Sequence, residues 1–324
     1  MNILISTAGR RVKLVQSFVN AVKRCKIKSK VFTSDYEPLK NSPAAHFSDH
    51  YFEVGNISDK NYITELIILC KKYGIKIIIP TIDTELKLLS KNIKLFNKNK
   101  IEVIVSKISL VEKFADKIIS DKFFRSLEIA TPKIYNIKEK FEFPIFLKPN
   151  LGSNSKGVYI AKNINQIKPE DIHRENILKM QFIDPAYYDE YTIDMYYDRH
   201  SSLVTAVPRV RLKVVGGESN QGITKKNEVL EFVKEKFKIL DGAIGCITLQ
   251  LFKNKTKNND IIAIEINPRF GGGYPFSLNA GADFAEYIIR EYILNEKLSY
   301  NENWCENCLN LRYETEVFFK YVKK

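Results

Sequence analysis

Glu265-Ile266-Asn267-Pro268-Arg269 ends an otherwise apolar run, Asp260–Asn267, with a carboxylate, an amide and a guanidinium. A second apolar run, Gly245–Phe252, precedes it across the polar loop Lys253–Asn259, so the two read as an antiparallel hairpin. A turn centred near Lys257–Asn258 sets Gln250 opposite Glu265. Side chains alternate along a strand, so Glu265 and Asn267 share a face and Gln250 projects from the same one. One carboxylate and two amide oxygens are hard ligands suited to magnesium bound beside nucleotide phosphates. A solvated hairpin face accounts for Gln250, but poorly for Glu-x-Asn-Pro-Arg at the end of an apolar strand. Gly271-Gly272-Gly273 then permits an unusual loop path or a backbone anion nest.

A second group lies upstream. Phe146-Leu147-Lys148-Pro149 is an apolar strand ending in a lysine, and Gly152-Ser153-Asn154-Ser155-Lys156-Gly157 is a loop of small residues. Small residues let backbone N–H groups approach an anion, and Lys148 at the strand end supplies a fixed cation. No Gly-Lys-Ser/Thr opens a helix, so this is not a P-loop. An ordinary Gly/Ser hairpin is the alternative. Glu190, Thr192 and Asp194 alternate on one strand and form a polar row on one face.

These groups need a scaffold. Over the first hundred residues, strands (Asn2–Ser6, Lys30–Ser34, Tyr51–Val54, Lys76–Pro80, Ile101–Val105) alternate with helices (Arg11–Arg24, Asp59–Tyr73, Thr81–Phe96). That alternation implies a parallel, doubly wound α/β sheet. Ser6-Thr7-Ala8-Gly9-Arg10-Arg11 carries one glycine where a dinucleotide fingerprint needs three, which argues against NAD. After a helical region, Leu110–Glu128, strands predominate and helices are few, an α+β pattern.

In the order and spacing of these motifs the chain resembles the ATP-grasp superfamily, especially proteins similar to the large subunit of carbamoyl-phosphate synthase. The resemblance implies a Rossmann-like pre-ATP-grasp domain over 1–108 and an ATP-grasp domain over 109–324, with a glycine/serine-rich lid subdomain over about 123–182. It also implies ATP and Mg²⁺ as cofactors, with Mn²⁺ as an alternative metal. Asp121-Lys122 looks like the family's Asp-Lys pair, and Lys148 resembles the second ATP lysine. Gly152, Ser153, Ser155, Lys156 and Gly157 resemble the lid over the phosphates. Gln181-Phe182-Ile183 is similar to the strand whose backbone reads adenine, and Glu190 to the ribose acid. Glu265 and Asn267 look like metal ligands, with Gln250 the third or an outer partner, and Arg269 resembles the arginine facing the transferring phosphate.

Carbamoyl-phosphate synthase has two such units and this chain has one. Single-unit members commonly join a carboxylate to an amine through an acyl phosphate, and that is the leading expectation. A catalytically silent nucleotide sensor and carboxyphosphate chemistry are the alternatives. Small carboxylate and amine substrates are expected at the ends of the N-terminal strands, where Arg10 or Arg11 would hold a carboxylate and Asp83 or Glu85 the amine. Arg211 and Glu218 lie where similar enzymes place acceptor residues.

The net charge of +13 invites a nucleic-acid reading. Lysines are spread along the chain and alternate with acids (Lys234-Glu235-Lys236), and no basic stripe interleaves with aromatics, so no nucleic acid is expected. No apolar run is long enough to span a membrane, the start reads as a strand and not a signal peptide, and the odd set of five cysteines argues against a disulfide scaffold. The expectation is a cytoplasmic enzyme, with a homodimer as the candidate assembly.

Overall fold

A computed structural model of the chain describes residues 1–136, 138–152 and 157–319. The N-terminal sheet contains β1 (Asn2–Ser6), β2 (Val31–Asp35), β3 (His50–Glu53), β4 (Ile75–Pro80) and β5 (Glu102–Val103). All pairings are parallel, in the order β3-β2-β1-β4-β5. Helices cover both faces, which is why β1 and β4 read as almost unbroken apolar runs. The chain runs outward from the central strand β1 to β2 and β3, then crosses back to β4 and β5 on the other side of β1. The loops after β1 and β4 therefore lie side by side at the switch in strand order, where open α/β sheets bind ligands.

A small antiparallel sheet follows, β6 (Ile145–Pro149), β7 (Tyr159–Ala161) and β8 (Ile177–Gln181), in the order β7-β6-β8. The large antiparallel sheet is built from β9 (Tyr188–Tyr197), β10 (Leu203–Val215), β11 (Glu218–Thr224), β12 (Gly245–Asn254), β13 (Ile261–Asn267) and β14 (Leu309–Leu311). Its order is β13-β12-β9-β10-β11-β14.

The helix Val12–Arg24 places Val15, Phe18 and Val22 on one buried face, the 3–4 spacing of an amphipathic helix. That face joins Ile3 and Ile5 of the N-terminal sheet to Ile247 of the large sheet and Phe284 of the helix Phe284–Tyr292 in one apolar cluster. Leu4, Phe32, Leu66 and Ile78 form a second cluster on the opposite face of the N-terminal sheet. All five cysteines are free thiols.

The α/β-then-α+β architecture agrees with the sequence reading, but several elements differ. The expected helix Thr81–Phe96 is two helices, Asp83–Lys91 and Ile93–Lys98. The expected helical region Leu110–Glu128 also breaks, into Ile108–Ala115 and Lys117–Ser126. Asp116 causes that break: its backbone is extended, and its carboxylate accepts from the N–H groups of Ile118 and Ile119 as an N-cap. Strand β10 is long, running through the exposed residues after Arg211 to Val215, and returns as β11. Neither β11 nor β14 was expected, because Glu218–Thr224 is polar and Leu309–Leu311 is only three residues long.

Gly245 opens β12 with φ of 71°, and a Cβ there would lie 2.6 Å from Ile104 Cγ2. Gly245→Ala adds left-handed strain to a clash with buried packing, so it should destabilise the fold by about 2–4 kcal/mol. Urea unfolding followed by circular dichroism should show a lower midpoint; an unchanged midpoint would contradict this contact.

Candidate functional site

A cavity of about 480 Å³ opens between the small sheet and the large sheet, and Arg11, just after the turn that ends β1, closes one end of it. Its floor is the β12–β13 hairpin. Gln250 pairs in register with Glu265, and Thr248 with Asn267, the arrangement expected from the alternation. Gln250, Glu265 and Asn267 all line the cavity. Asn267 Nδ2 donates to Glu265 Oε1 at 3.0 Å, which orients the amide and leaves its oxygen available as a ligand. Gln250 makes no side-chain hydrogen bond among the described residues. No group of three His, Cys, Asp or Glu that could hold a metal is present among them either. One carboxylate with two amides is a donor set that magnesium completes with phosphate oxygens and water, so these residues fit that ion.

Two lysines face this floor. Lys148, at the end of β6, is 6% exposed, and burial pulls its pKa down while Glu265 opposes that shift. Lys117 is shifted down by burial too, with Glu265 again opposing. Its Nζ donates to the carbonyls of Asn150 (3.0 Å) and Gly152 (3.1 Å), so it ties the start of the small-residue loop to the helix Lys117–Ser126. Cations held in poor solvent near one carboxylate are ready to bind a polyanion.

Phe146, Met180, Gln181, Phe182, Ile183 and Phe252 form a largely apolar part of the wall. Glu190 lines the cavity beside them. Burial raises its pKa and its ion pair with Arg211 counteracts that. Thr192 lines the cavity next in the row, and Asp194 lies fully buried beneath it.

Asp194 organises the far end. It accepts from Arg209 Nε (3.2 Å) and Nη2 (2.9 Å), Ser277 Oγ (2.7 Å) and Thr248 Oγ1 (3.3 Å). Thr248 Oγ1 also lies 3.1 Å from the Arg269 carbonyl, as its donor. Gly271–Gly273 wraps around this group. A Cβ at Gly271 would stand 3.0 Å from Thr248 Oγ1, at Gly272 2.6 Å from Glu218 Oε1, and at Gly273 2.5 Å from Arg209 Nη1. None of the three has a positive φ. They are glycines because side chains approach closely, and not because the loop takes an unusual path as expected.

Arg269 is fixed between core and charge. Phe270 is buried against Phe18, Tyr274 and Phe284, and Arg269 Nη2 bonds Asp83 Oδ2 at 2.9 Å. Arg11 lines the same end and donates to the Thr81 carbonyl at 3.3 Å. Glu218 lines it as well, paired with Arg312, which also donates to the Gly272 carbonyl.

Several expected site residues stand elsewhere. Lys122 is exposed on the outer side of its helix, while its neighbour Asp121 pairs with Arg125 and accepts from Thr131. The lysine at the cavity is Lys117, five residues earlier, in a second Asp-Lys dipeptide. The helix-start signal of Asp116 could have revealed it. Arg10 is exposed and does not line the cavity. Gly152 lines it, whereas Gly157 (φ 73°) packs near Pro149. Ser153, Ser155 and Lys156 lie outside the described residues. Arg312 was missed because no motif points from its short edge strand to the site.

Glu85 does not reach the cavity to hold an amine. It is fully buried and accepts from Ser6 Oγ (3.0 Å), Thr7 Oγ1 (2.8 Å) and Tyr62 Oη (2.6 Å). Burial raises its pKa above the ordinary 4.5, against these hydroxyl donors. A raised folded-state pKa adds stability at low pH that is lost as pH rises through that value. The unfolding free energy of the wild type relative to Glu85→Gln should therefore fall as the pH is raised above the ordinary 4.5 of a glutamate. A difference independent of pH would show that Glu85 does not titrate as its burial requires.

Comparisons with known proteins agree with this architecture. Residues 3–104 match the family model for the PylC-like N-terminal domain. Residues 174–315 match that for ATP-grasp in the biosynthetic pathway with Ter operon. No curated protein matches the chain. Among solved structures, the biotin carboxylase domain dimer of the Hydrogenobacter thermophilus 2-oxoglutarate carboxylase is similar. It was solved with MgADP, ADP and bicarbonate, at a TM-score of 0.72 and 16% identity, covering 95% of this chain and 73% of that one. Biotin carboxylase from Campylobacter jejuni has a TM-score of 0.72 and 14% identity over 95% and 74% of the two chains. N5-carboxyaminoimidazole synthetase from Staphylococcus aureus, complexed with ADP, has a TM-score of 0.68 and 16% identity over 96% and 79%. No helix among the described residues is long and apolar enough to cross a membrane. Residues 3–104 therefore match a PylC-like N-terminal domain and residues 174–315 an ATP-grasp domain, and the chain as a whole shares the fold of the biotin carboxylases and of N5-carboxyaminoimidazole synthetase.

Proposed function

We propose that the protein is an ADP-forming ligase that activates a small-molecule carboxylate with ATP and joins it to an amine. The observation that carries this reading is the pairing of Gln250, Glu265 and Asn267 on one face of the β12–β13 hairpin with Lys117 and Lys148, both poorly solvated, on the same cavity. The neighbours solved with MgADP or ADP support the choice of nucleotide. The apolar wall from Met180 to Ile183 suits an adenine, and Glu190 suits ribose hydroxyls. We assign Gly152 and the small-residue loop that follows it to the cover over the phosphates.

A substrate carboxylate oxygen attacks the γ-phosphorus, an O–P bond forms, and the bond to the β–γ bridging oxygen breaks to release ADP. The amine nitrogen then attacks the acyl carbon, the C–O bond to phosphate breaks, and the nitrogen loses a proton as the amide forms. Positioning and charge stabilisation carry most of such catalysis. Lys117 and Lys148 hold the phosphates, and Arg269 stabilises charge on the transferring group, its own position held by Asp83. Magnesium held by Glu265, Asn267 and Gln250 would neutralise phosphate charge. Burial of these groups excludes water, which would otherwise hydrolyse the acyl phosphate.

A second reading keeps the same activation step and takes bicarbonate as the acid. The bicarbonate in the Hydrogenobacter structure favours it. ADP release measured across carboxylates, bicarbonate included, each paired with amines, with mass spectrometry of the products, tests both readings together.

Glu265→Gln should keep the fold and lower turnover by about 100-fold or more, the scale of a lost electrostatic stabiliser. Turnover like that of the wild type would remove Glu265 from the reaction. The two Asp-Lys dipeptides also separate cleanly. Lys117→Ala should weaken MgATP binding by about 10-fold or more, whereas Lys122→Ala should leave it unchanged. Calorimetric titration decides this, and the reverse order would restore Lys122 to the site.

A further inference from the structure

Arginines crowd the end of the cavity near the N-terminal sheet, and almost all have a carboxylate of their own. Arg209 is paired with Asp194, Arg211 with Glu190, Arg269 with Asp83 and Arg312 with Glu218. Arg11 is the exception: among the described residues no carboxylate pairs with it, and its guanidinium has only the Thr81 carbonyl at 3.3 Å. Burial above all, and then the nearby Arg269 cation, pull its pKa down, and Glu218 and Asp83, each already paired with another arginine, only partly oppose that. Nearby, Arg211 Nε and Arg269 Nε are buried without a hydrogen-bond partner. A cavity wall with a cation that has no ion pair of its own, and with unused donors, is built for an anion that the protein does not supply.

The loop beneath Arg11 is held rigidly. Thr7 has φ of 48°, in the left-handed region that non-glycine residues rarely adopt. Thr81 Oγ1 donates to the Thr7 carbonyl at 2.6 Å, and Thr7 Oγ1 donates to buried Glu85 at 2.8 Å. Thr81 in turn receives Arg11 through its carbonyl. The strained turn after β1 and the turn after β4 are therefore bolted together under the guanidinium. Strain retained by a fully satisfied network marks a place where geometry is being held for a purpose.

We propose that Arg11 is the anchor of a second-anion subsite, so that one of the two substrates carries a carboxylate or phosphate that takes no part in the reaction. This rests on the ligase reading above and narrows its substrate class. The anion is a non-reacting one for a chemical reason. The reacting carboxylate must attack phosphorus, and a permanent guanidinium clamped on it would drain its nucleophilicity and then lose its partner as the acyl phosphate forms. A group that stays anionic keeps its bond to Arg11 through both steps and retains the acyl phosphate, or the incoming amine, in the cavity. The source of the anion is either the acid, then a dicarboxylate or a phosphorylated acid, or the amine, then an amino acid.

The test measures ADP release in two arms. In the first, dicarboxylates from oxalate to adipate are compared with their monoamides as the acid. In the second, α-, β- and γ-amino acids are compared with their amides as the amine. In one arm the charged member should have a kcat/KM at least about 10-fold higher, the scale of one charge-assisted contact. Arg11→Ala should erase that preference, and Arg11→Lys should recover part of it. A wild type indifferent to the second charge in both arms, or a preference that survives Arg11→Ala, overturns the subsite. Weaker MgATP binding in Arg11→Ala with the preference intact also overturns it, by turning Arg11 toward the nucleotide. Failure of the ligase reading is distinct: no ADP would form with any pair. The subsite is then read directly by calorimetry, in which wild type should bind a dicarboxylate or inorganic phosphate at least about 10-fold more tightly than Arg11→Ala. Equal binding rejects it.

Discussion

The buried pair Asp194–Arg209 is the constraint on which the rest of the site depends. Both groups are almost wholly out of water, at 0% and 1% exposure, so neither tolerates the loss of the other. Breaking such a pair by removing one partner typically costs about 3–5 kcal/mol. Its remaining lone pairs are used as well: Ser277 and Thr248 complete the shell of Asp194, and Thr248 also reaches the Arg269 carbonyl. The chain after β13 must therefore pass close to a guanidinium and a threonine, and only Gly271–Gly273 has room to do so. The position of Arg269, just before those glycines, follows from this packing.

The N-terminal sheet enters the site through charge and not through catalysis of its own. Asp83, at the start of the helix after β4, neutralises Arg269, and Arg11, after β1, lines the same end of the cavity. These two contacts come from adjacent strands only because the order reverses about β1. Buried Glu85 gathers the hydroxyls of Ser6 and Thr7 at the end of β1, and Thr81 after β4 bonds the Thr7 carbonyl. The apolar cluster that runs through Phe18 to Phe270 and Phe284 holds the two sheets at the separation those contacts require.

Electrostatics divides the cavity into two regimes. Toward the small sheet, Lys117 and Lys148 are cations made unstable by burial, and Glu265 only partly offsets that. Toward the N-terminal sheet, carboxylates balance the arginines individually, with Arg11 left over. A nucleotide polyanion suits the first regime, and a smaller anion suits the second. Lys117 also fixes backbone at the edge of the first regime, because its ammonium donates to the carbonyls of Asn150 and Gly152.

Much of this was legible in the sequence wherever period and pairing are local. The alternation of β13 and the length of its hairpin loop determined that Gln250 faces Glu265, and the structure has that register. The βα alternation of the first hundred residues determined a parallel sheet, and the polar row Glu190-Thr192-Asp194 declared its own face. What depended on distant partners was not legible. One continuous apolar pattern hid the cap at Asp116, so the lysine at the cavity was sought five residues too late. Glu85 reads as a residue to hold the amine, but Ser6 and Thr7 at the end of one strand and Tyr62 at the start of a helix converge on it. Arg312 reaches Glu218 only because a three-residue edge strand pairs with β11. Periodicity records which side of an element is buried, and it carries no record of which charge from elsewhere in the chain will meet that side. Only the packing of the three sheets decided that.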